Sequence, residues 1–336
     1  MALDPRIRGQ LKLPAFCAPM FLVSTPALLI EACKAGIIAG TNPKNCRSVD
    51  QFESEMLAVR AALDAWQQEH PDARVGPLAI NIDLKAGAAE TGRYLDICRA
   101  ARVDIIVTVA GDPTALIQRV HGEGRVVWHD ATSLRFAEKA IRAGADGIIA
   151  IGAGGGGHSG LISHLALIPQ IRSMFDGTIV MAGAVSSGAA IRAAEILGAD
   201  LAYMGTRFIA TQESGAPPEY KDMLVSQGVA DLLYTPAING VAANWLVESM
   251  RRAGLDPARL PRPEGHGTQH LPASAKPWIN VWSAGQGIGL IHDIPPVAEL
   301  VLRLRREYVA ACALPDMAQV ARLVDESQTT SGVKLP

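Results

Sequence analysis

A chain of 336 residues, 49% hydrophobic and only 5% aromatic, is long for one average domain and ordinary for a (β/α)8 barrel that carries an insertion. A net charge of −2 offers no basic surface to a nucleic acid, and no apolar run is long enough to span a membrane, so neither partner is expected. Five cysteines, Cys17, Cys33, Cys46, Cys98 and Cys312, are odd in number and lack CxxC spacing, which argues against a disulfide framework and for a cytoplasmic protein.

In chain order, short apolar runs alternate with helical patterns. Residues 15–19 (AFCAP) precede a helix at 26–35, and 36–40 (GIIAG) precede an amphipathic stretch at 49–68. Residues 78–82 (LAINI) lead to 88–101, 104–110 (DIIVTVA) to a helix starting near Pro113, and 125–129 (RVVWH) to 133–143. Residues 146–151 (DGIIAI) lead through glycines to 165–174, 178–182 (TIVMA) lead to 188–197, and 201–205 (LAYMG) complete eight. The runs are continuously apolar rather than alternating, as parallel strands covered on both faces require. A partial repeat supports the count: RAARVDIIV, RAGADGIIA and ILGADLAYM each turn from helix to strand through an aspartate, Asp104, Asp146 or Asp200. Eight such units predict an α/β fold, a closed (β/α)8 TIM barrel. Residues 211–279 are richer in Pro, Gly and polar residues, with helical patches at 219–233 and 239–252 and an irregular loop at 260–277. They read as a small, mainly helical insertion after strand eight, covering the mouth of a barrel built from 1–210 and 280–336, with 295–312 as the last barrel helix.

In such a barrel the strand C-terminal ends carry the chemistry. The sixth reads IAIGAGGGGHSG, where glycines such as Gly156 and Gly157 let backbone approach a flat or anionic ligand, and His158 is the candidate acid, base or hydrogen-bond donor. The seventh (AGAVSSG) and eighth (MGTR) ends hold small residues and hydroxyls suited to a phosphate. His129 and Asp130 at the fifth end read equally as a catalytic or cofactor-orienting pair and as a structural one. Gly152, Gly154 and Gly157 formally match GxGxxG, but no acidic residue closes the next strand and the helix begins well beyond the last glycine, so the dinucleotide fold is rejected. His158 with His164, and His266 with His270, lack acidic partners of clear geometry and read as solvated or structural, so no metal is expected. Cys17, inside a strand, reads as core rather than nucleophile.

Together GGGGHSG, AGAVSSGAAIRAAEILGAD, MGTRF and WSAGQGIGLIHDIPPVAEL, with APM near the start and ING-ANWL in the insertion, resemble the nitronate monooxygenase family over essentially the whole chain. That family, formerly called 2-nitropropane dioxygenase, includes FMN-dependent enoyl-ACP reductases and NADH:quinone reductases. The resemblance implies FMN on a (β/α)8 barrel, with Ala18, Pro19 and Met20 against the ring and Asn81 hydrogen-bonded to it. It implies Gly156, Gly157 and His158 beside ring and substrate, and Gly183, Ala184, Gly205 and Thr206 around the phosphate. Ser283, Gly285 and Gln286 match a motif at the mouth, and His158 matches the histidine proposed to take a substrate proton. Relatives carry Lys where this chain has Asp130 and an acidic residue where it has Ile151, both facing the flavin. The implied reaction oxidises alkyl nitronates with O2 to a carbonyl compound and nitrite. The alternatives are an NAD(P)H-dependent reductase of a quinone or enoyl thioester, and a non-redox barrel binding a phosphate ligand. The apolar final segments leave room for a homodimer.

Overall fold

The computed structural model describes residues 2–261, 263, 265 and 267–313. Helix α1 (Pro5–Gln10) opens the chain, followed by β1 (Ala15–Cys17), α2 (Pro26–Lys34), β2 (Ile38–Thr41), α3 (Val49–Glu69), β3 (Leu78–Asp83) and α4 (Ala88–Ala100). Next come β4 (Ile105–Val109), α5 (Thr114–Gly122), β5 (Val126–Ala131), α6 (Leu134–Arg142), β6 (Gly147–Ile151), α7 (His164–Met174), β7 (Thr178–Ala182), α8 (Gly188–Leu197) and β8 (Leu201–Met204). Strands β1 to β8 close into a parallel barrel, β8 pairing back onto β1 through Ala202 and Ala15. This is the expected (β/α)8 architecture.

The pleat divides each strand between two cores. Inward residues Phe16, Ile38, Ala79, Ile105, Val107, Trp128, Ile149, Val180 and Leu201 fill the barrel, and Leu3, Ile7 and Leu11 around α1 plug its N-terminal end. Outward residues such as Ile80, Ile106, Ile148 and Ile179 meet the helices. The three aspartates predicted at equivalent corners make equivalent bonds. Asp104, Asp146 and Asp200 each accept, through Oδ2, the backbone N–H of the preceding strand's Leu78 (3.3 Å), Val127 (2.7 Å) and Ile179 (2.9 Å). Asp200 is 1% exposed and also accepts from Arg172 Nη2 at 2.6 Å and from Ala2 N at 2.7 Å. Asp200→Ala leaves the Ile179 and Ala2 N–H groups without their acceptor and Arg172, still bonded to the Gly198, Phe175 and Gly177 carbonyls, without its counter-charge, so it should cost about 2–4 kcal/mol, read by denaturant unfolding. A loss under about 1 kcal/mol would refute this account of the corner.

After β8 come α9 (Thr206–Ile209), α10 (Pro218–Ser226), β9 (Leu232–Thr235), β10 (Ala243–Leu246), α11 (Val247–Arg252) and α12 (Val297–Cys312). Here the structure departs from expectation. The expected helical patch at 219–233 holds α10 but ends in β9, the one at 239–252 holds α11 but also β10, and β9 and β10 pair antiparallel with Ala243 opposite Thr235. The pairing buries Trp245 completely, which a helix over 239–252 had no partner to do. Helix α12 packs on α8 and α2 as the last barrel helix; residues 314–336 of the expected C-terminal barrel segment lie outside the described residues. Among the described residues no helix is long and apolar enough to cross a membrane.

Candidate functional site

Near the C-terminal end of the barrel the inward positions change character. Asn81, Asp130, Ile151 and Tyr203 each lie two residues beyond an inward core residue, so the pleat points them into the lumen below the mouth. Asp130, Ile151 and Tyr203 are only half-buried, whereas Trp128, Ile149 and Leu201 beneath them are closed off. Asn81 Nδ2 donates to Asp130 Oδ2 at 3.4 Å. The other oxygen of each, Asn81 Oδ1 and Asp130 Oδ1, is buried without a hydrogen-bond partner. Burial pushes the Asp130 carboxyl up to about 7, against a smaller opposing effect of the Asn81 amide. His129 and Asp130 do not form a pair. As strand neighbours they face opposite ways, and His129 Nδ1 meets Thr108 Oγ1 at 2.8 Å in the outer core, where burial lowers it to about 4.

Around this floor the glycine-rich loop after β6 is laced to three distant segments. The Gly154 carbonyl accepts from Ala184 N (3.1 Å) and Gln286 N (3.0 Å), and Gly285 N donates to Thr206 Oγ1 at 2.8 Å. Asn244, 2% exposed on β10, donates through Nδ2 to the Gly155 carbonyl at 2.7 Å. These contacts need glycine. A Cβ on Gly156 would lie 2.7 Å from Gly285 N, and one on Gly183, whose φ is +115°, would lie 2.8 Å from Gly155 N. Gly157 instead faces open space, and beside Gly205 the nearest atoms are Met20 Sδ and Ala18 Cβ, at 3.6 and 3.9 Å from the position a Cβ would take. The result is a tight backbone wall with one open side. Three non-glycine residues just beyond strand ends, Leu22 after β1, Ala110 after β4 and Ala184 after β7, have φ near +60° (61°, 59° and 58°), the strain that functional sites store.

His158 stands exposed on the rim. Its backbone bridges to Ala243 of β10, and its ring meets Trp278 edge-on at 5.9 Å. Nε2 lies 3.1 Å from Asn239 Nδ2. The Asn239 amide is oriented by Val241 N, which donates to its Oδ1 at 3.2 Å, so Nδ2 is the donor and His158 Nε2 the acceptor.

The structure therefore brings Gly156, Gly183, Ala184, Thr206, Gly285 and Gln286 to one wall, Asn81 and Asp130 to the floor, and His158 to the rim. Ser283 is buried behind the wall, its carbonyl accepting from Tyr220 OH at 2.5 Å. The Ala18–Met20 turn is held by Asn45, whose Nδ2 donates to the Met20 carbonyl at 3.1 Å. Sequence reading missed Asn45 and Trp278, and although the ING-ANWL motif contained Asn239 and Asn244 it gave them no role, since each acts across a long separation that no spacing marks. His164 and His270 are structural, with Nε2 on the carbonyls of Ala182 (2.8 Å) and Ala237 (2.7 Å); His266 lies outside the described residues. Among the described residues no group of three or more His, Cys, Asp or Glu is placed to hold a metal. Cys17 is buried and its thiol is pushed far up by desolvation, consistent with a core role. Two charged grooves of about 340 and 410 Å³, both lined by Arg102 and Asp104, open at the opposite end of the barrel, away from the half-exposed strand ends.

Comparison with known proteins adds a family. The model of the family described as nitronate monooxygenase matches residues 10–307. A nitronate monooxygenase of Paraburkholderia phytofirmans is 29% identical, covering 88% of this chain and 92% of its own length. One from Neurospora crassa is also 29% identical, covering 86% and 87%. In solved structures the fold recurs in a nitroalkane oxidase from Streptomyces ansochromogenes (TM-score 0.74, 24% identity, 91% of this chain and 99% of that one). It recurs too in FabK from Thermotoga maritima (TM-score 0.71, 24% identity, 96% and 99%).

Proposed function

The chain belongs to the nitronate monooxygenase family, a family of flavin-dependent oxidoreductases, and from that premise we propose that it uses FMN to oxidise alkyl nitronates with O2 to a carbonyl compound and nitrite. The observation that carries the flavin reading is the pair of orphaned oxygens on Asn81 and Asp130, buried below an open mouth. Such atoms cost free energy until a polar partner arrives, and the pyrimidine edge of a flavin ring brings both donors and acceptors. The glycine wall supplies the second element, a close backbone approach that any Cβ at Gly156 or Gly183 would fill.

In this reading Ala18, Pro19 and Met20 flank the ring and Asn81 and Asp130 meet it from below. Gly156 and Gly157 border it, and Gly183, Ala184, Gly205 and Thr206 take the phosphate. The N-terminus of α8 is already engaged, since Gly188 N donates to Glu307 Oε2 at 2.7 Å, which leaves the phosphate to the β7 and β8 ends. Gly285 and Gln286 lock that wall from the mouth side. Residues 211–279 act as a unit over the mouth, a reading supported by the contacts of Asn239, Ala243 and Asn244 with the loop after β6.

Bound flavin supplies the capacity to take an electron from a nitronate and hand one to O2. The chain's own residues orient the substrate. His158, on the rim with Nε2 3.1 Å from Asn239 Nδ2, is placed to meet the anionic oxygen of the substrate. Trp278, beside His158, gives the alkyl portion an apolar wall. Five free cysteines support a cytoplasmic setting.

The test is the visible spectrum of freshly purified protein, with the released chromophore identified. Flavin bands and free FMN are expected; a colourless protein that takes up no added FMN would end this reading. Nitronate-driven O2 uptake is then expected, with no bleaching by NADH or NADPH. Anaerobic bleaching by either would favour the reductase instead.

A further inference from the structure

We infer that Asp130 carries a proton when a flavin ring lies over it, so that flavin binding draws one proton from solvent onto this carboxyl. The inference rests on the reading that flavin occupies this mouth. Its basis is the surroundings of Asp130 in the lumen. From β3 the facing group is Asn81, a neutral amide, with Asp83 two residues further toward the mouth and committed to Lys44, whose Nζ donates to its Oδ2 at 2.7 Å. From β8 it is Tyr203, a phenol that burial holds protonated, with the nearby Asp130 charge adding to the effect. From β4 and β6 the inward neighbours are Val107, Ile149 and Ile151. On its own strand His129 faces the other way, onto Thr108. No ammonium or guanidinium faces Asp130 among these groups, and the only hydrogen bond it accepts here is the long one from Asn81.

Asp130 Oδ1 is already buried, and what exposure the residue keeps is on the side of the open mouth. A planar ring laid over the floor removes the water there and supplies no cation in return. Desolvation without a counter-charge favours the neutral acid. Burial already pushes the carboxyl up to about 7 in the open protein, and a ring that excludes the remaining water without a counter-charge acts in the same direction. As a neutral acid, Asp130 donates one hydrogen bond upward and keeps one oxygen for the Asn81 amide, which satisfies both of its oxygens. As an anion it would offer two acceptors to a ring edge that is itself rich in acceptors.

The sign follows by linkage. The bound state holds the proton and the free state loses it above about 7, so affinity is full below that point and is lost as pH rises through it. The limiting slope is about tenfold weaker binding per pH unit.

The experiment titrates the full chain, freed of flavin, with FMN from about pH 6 to pH 9, following flavin fluorescence, for wild type and Asp130→Asn. The ionisation of the FMN phosphate is common to both proteins and cancels in their ratio. The wild-type Kd should rise by up to about tenfold per unit above neutrality relative to the variant, which mimics the neutral acid. Calorimetry on the wild type alone, in two buffers of different ionisation heat near pH 8, should show uptake of close to one proton, and this holds the inference to account even if the variant does not fold. Parallel Kd profiles, or zero uptake or release of protons in the wild type, would overturn it while leaving flavin binding intact. A chain that binds no FMN at any pH would overturn the flavin reading and this inference with it.

Discussion

A Gly183→Ala variant is expected to fold, to lose most of its bound flavin, and to melt several degrees lower than wild type. Gly183 follows β7 with φ +115°, a conformation that costs an L-residue about 1–3 kcal/mol. The added Cβ also meets Gly155 N at 2.8 Å and Gly154 C at 3.1 Å, both backbone atoms with no flexible end to give way. Relief requires the β6 loop and the β7 end to separate, and the bond from Ala184 N to the Gly154 carbonyl spans that seam. A melting scan and the flavin-to-protein absorbance ratio read the two effects together. Gly157→Ala is the control, since a Cβ there meets nothing within 4 Å and should leave the melting temperature unchanged. Full flavin content and unchanged melting in Gly183→Ala would mean that the wall is not the phosphate cradle.

The second large effect concerns His158. His158→Ala takes the imidazole from the rim and should lower kcat/KM for a nitronate by about 10²-fold or more. The more diagnostic change is Asn239→Asp. A carboxylate in place of the amide can only accept, so it holds a proton on Nε2 and favours the imidazolium. The pH limb due to His158 should then move upward, and turnover of neutral nitroalkane should gain on turnover of nitronate. If the ratio and the pH profile stay as in wild type, Asn239 does not position the imidazole.

Much of the barrel was legible in the sequence because its determinants are local. Continuous apolar runs such as DIIVTVA and DGIIAI place strands to within a residue or two, and each Asp corner marks the start of the next strand, its carboxylate bonded back to the N-terminal backbone of the preceding one. The glycines of the wall were also visible, since tight backbone approach leaves a compositional trace. Strands β9 and β10 were not: they are four residues each, embedded in helix-like periodicity, and exist only because each has the other to pair with. The rim was hidden for a similar reason, as the contact between His158 and Asn239 spans 81 residues and no spacing rule reaches that far. The separation of His129 from Asp130 is a different case. Adjacent residues in a strand face opposite sides, so the information was present in the alternation itself.

The lacing of the cradle also has a temporal side. The eight strands are complete at Met204, yet the wall is locked only when Gly285 and Gln286 reach Thr206 and Gly154, and β1 cannot close its ring until β8 has been made. A nascent chain emerges N-terminus first, so it would have the strands of the barrel some eighty residues before Gly285 and Gln286 tie the loop after β6. Flavin therefore cannot template the early stages of folding. It arrives at a scaffold already shaped by its apolar cores, and its contribution to stability is added at the end, in proportion to its free concentration over its dissociation constant.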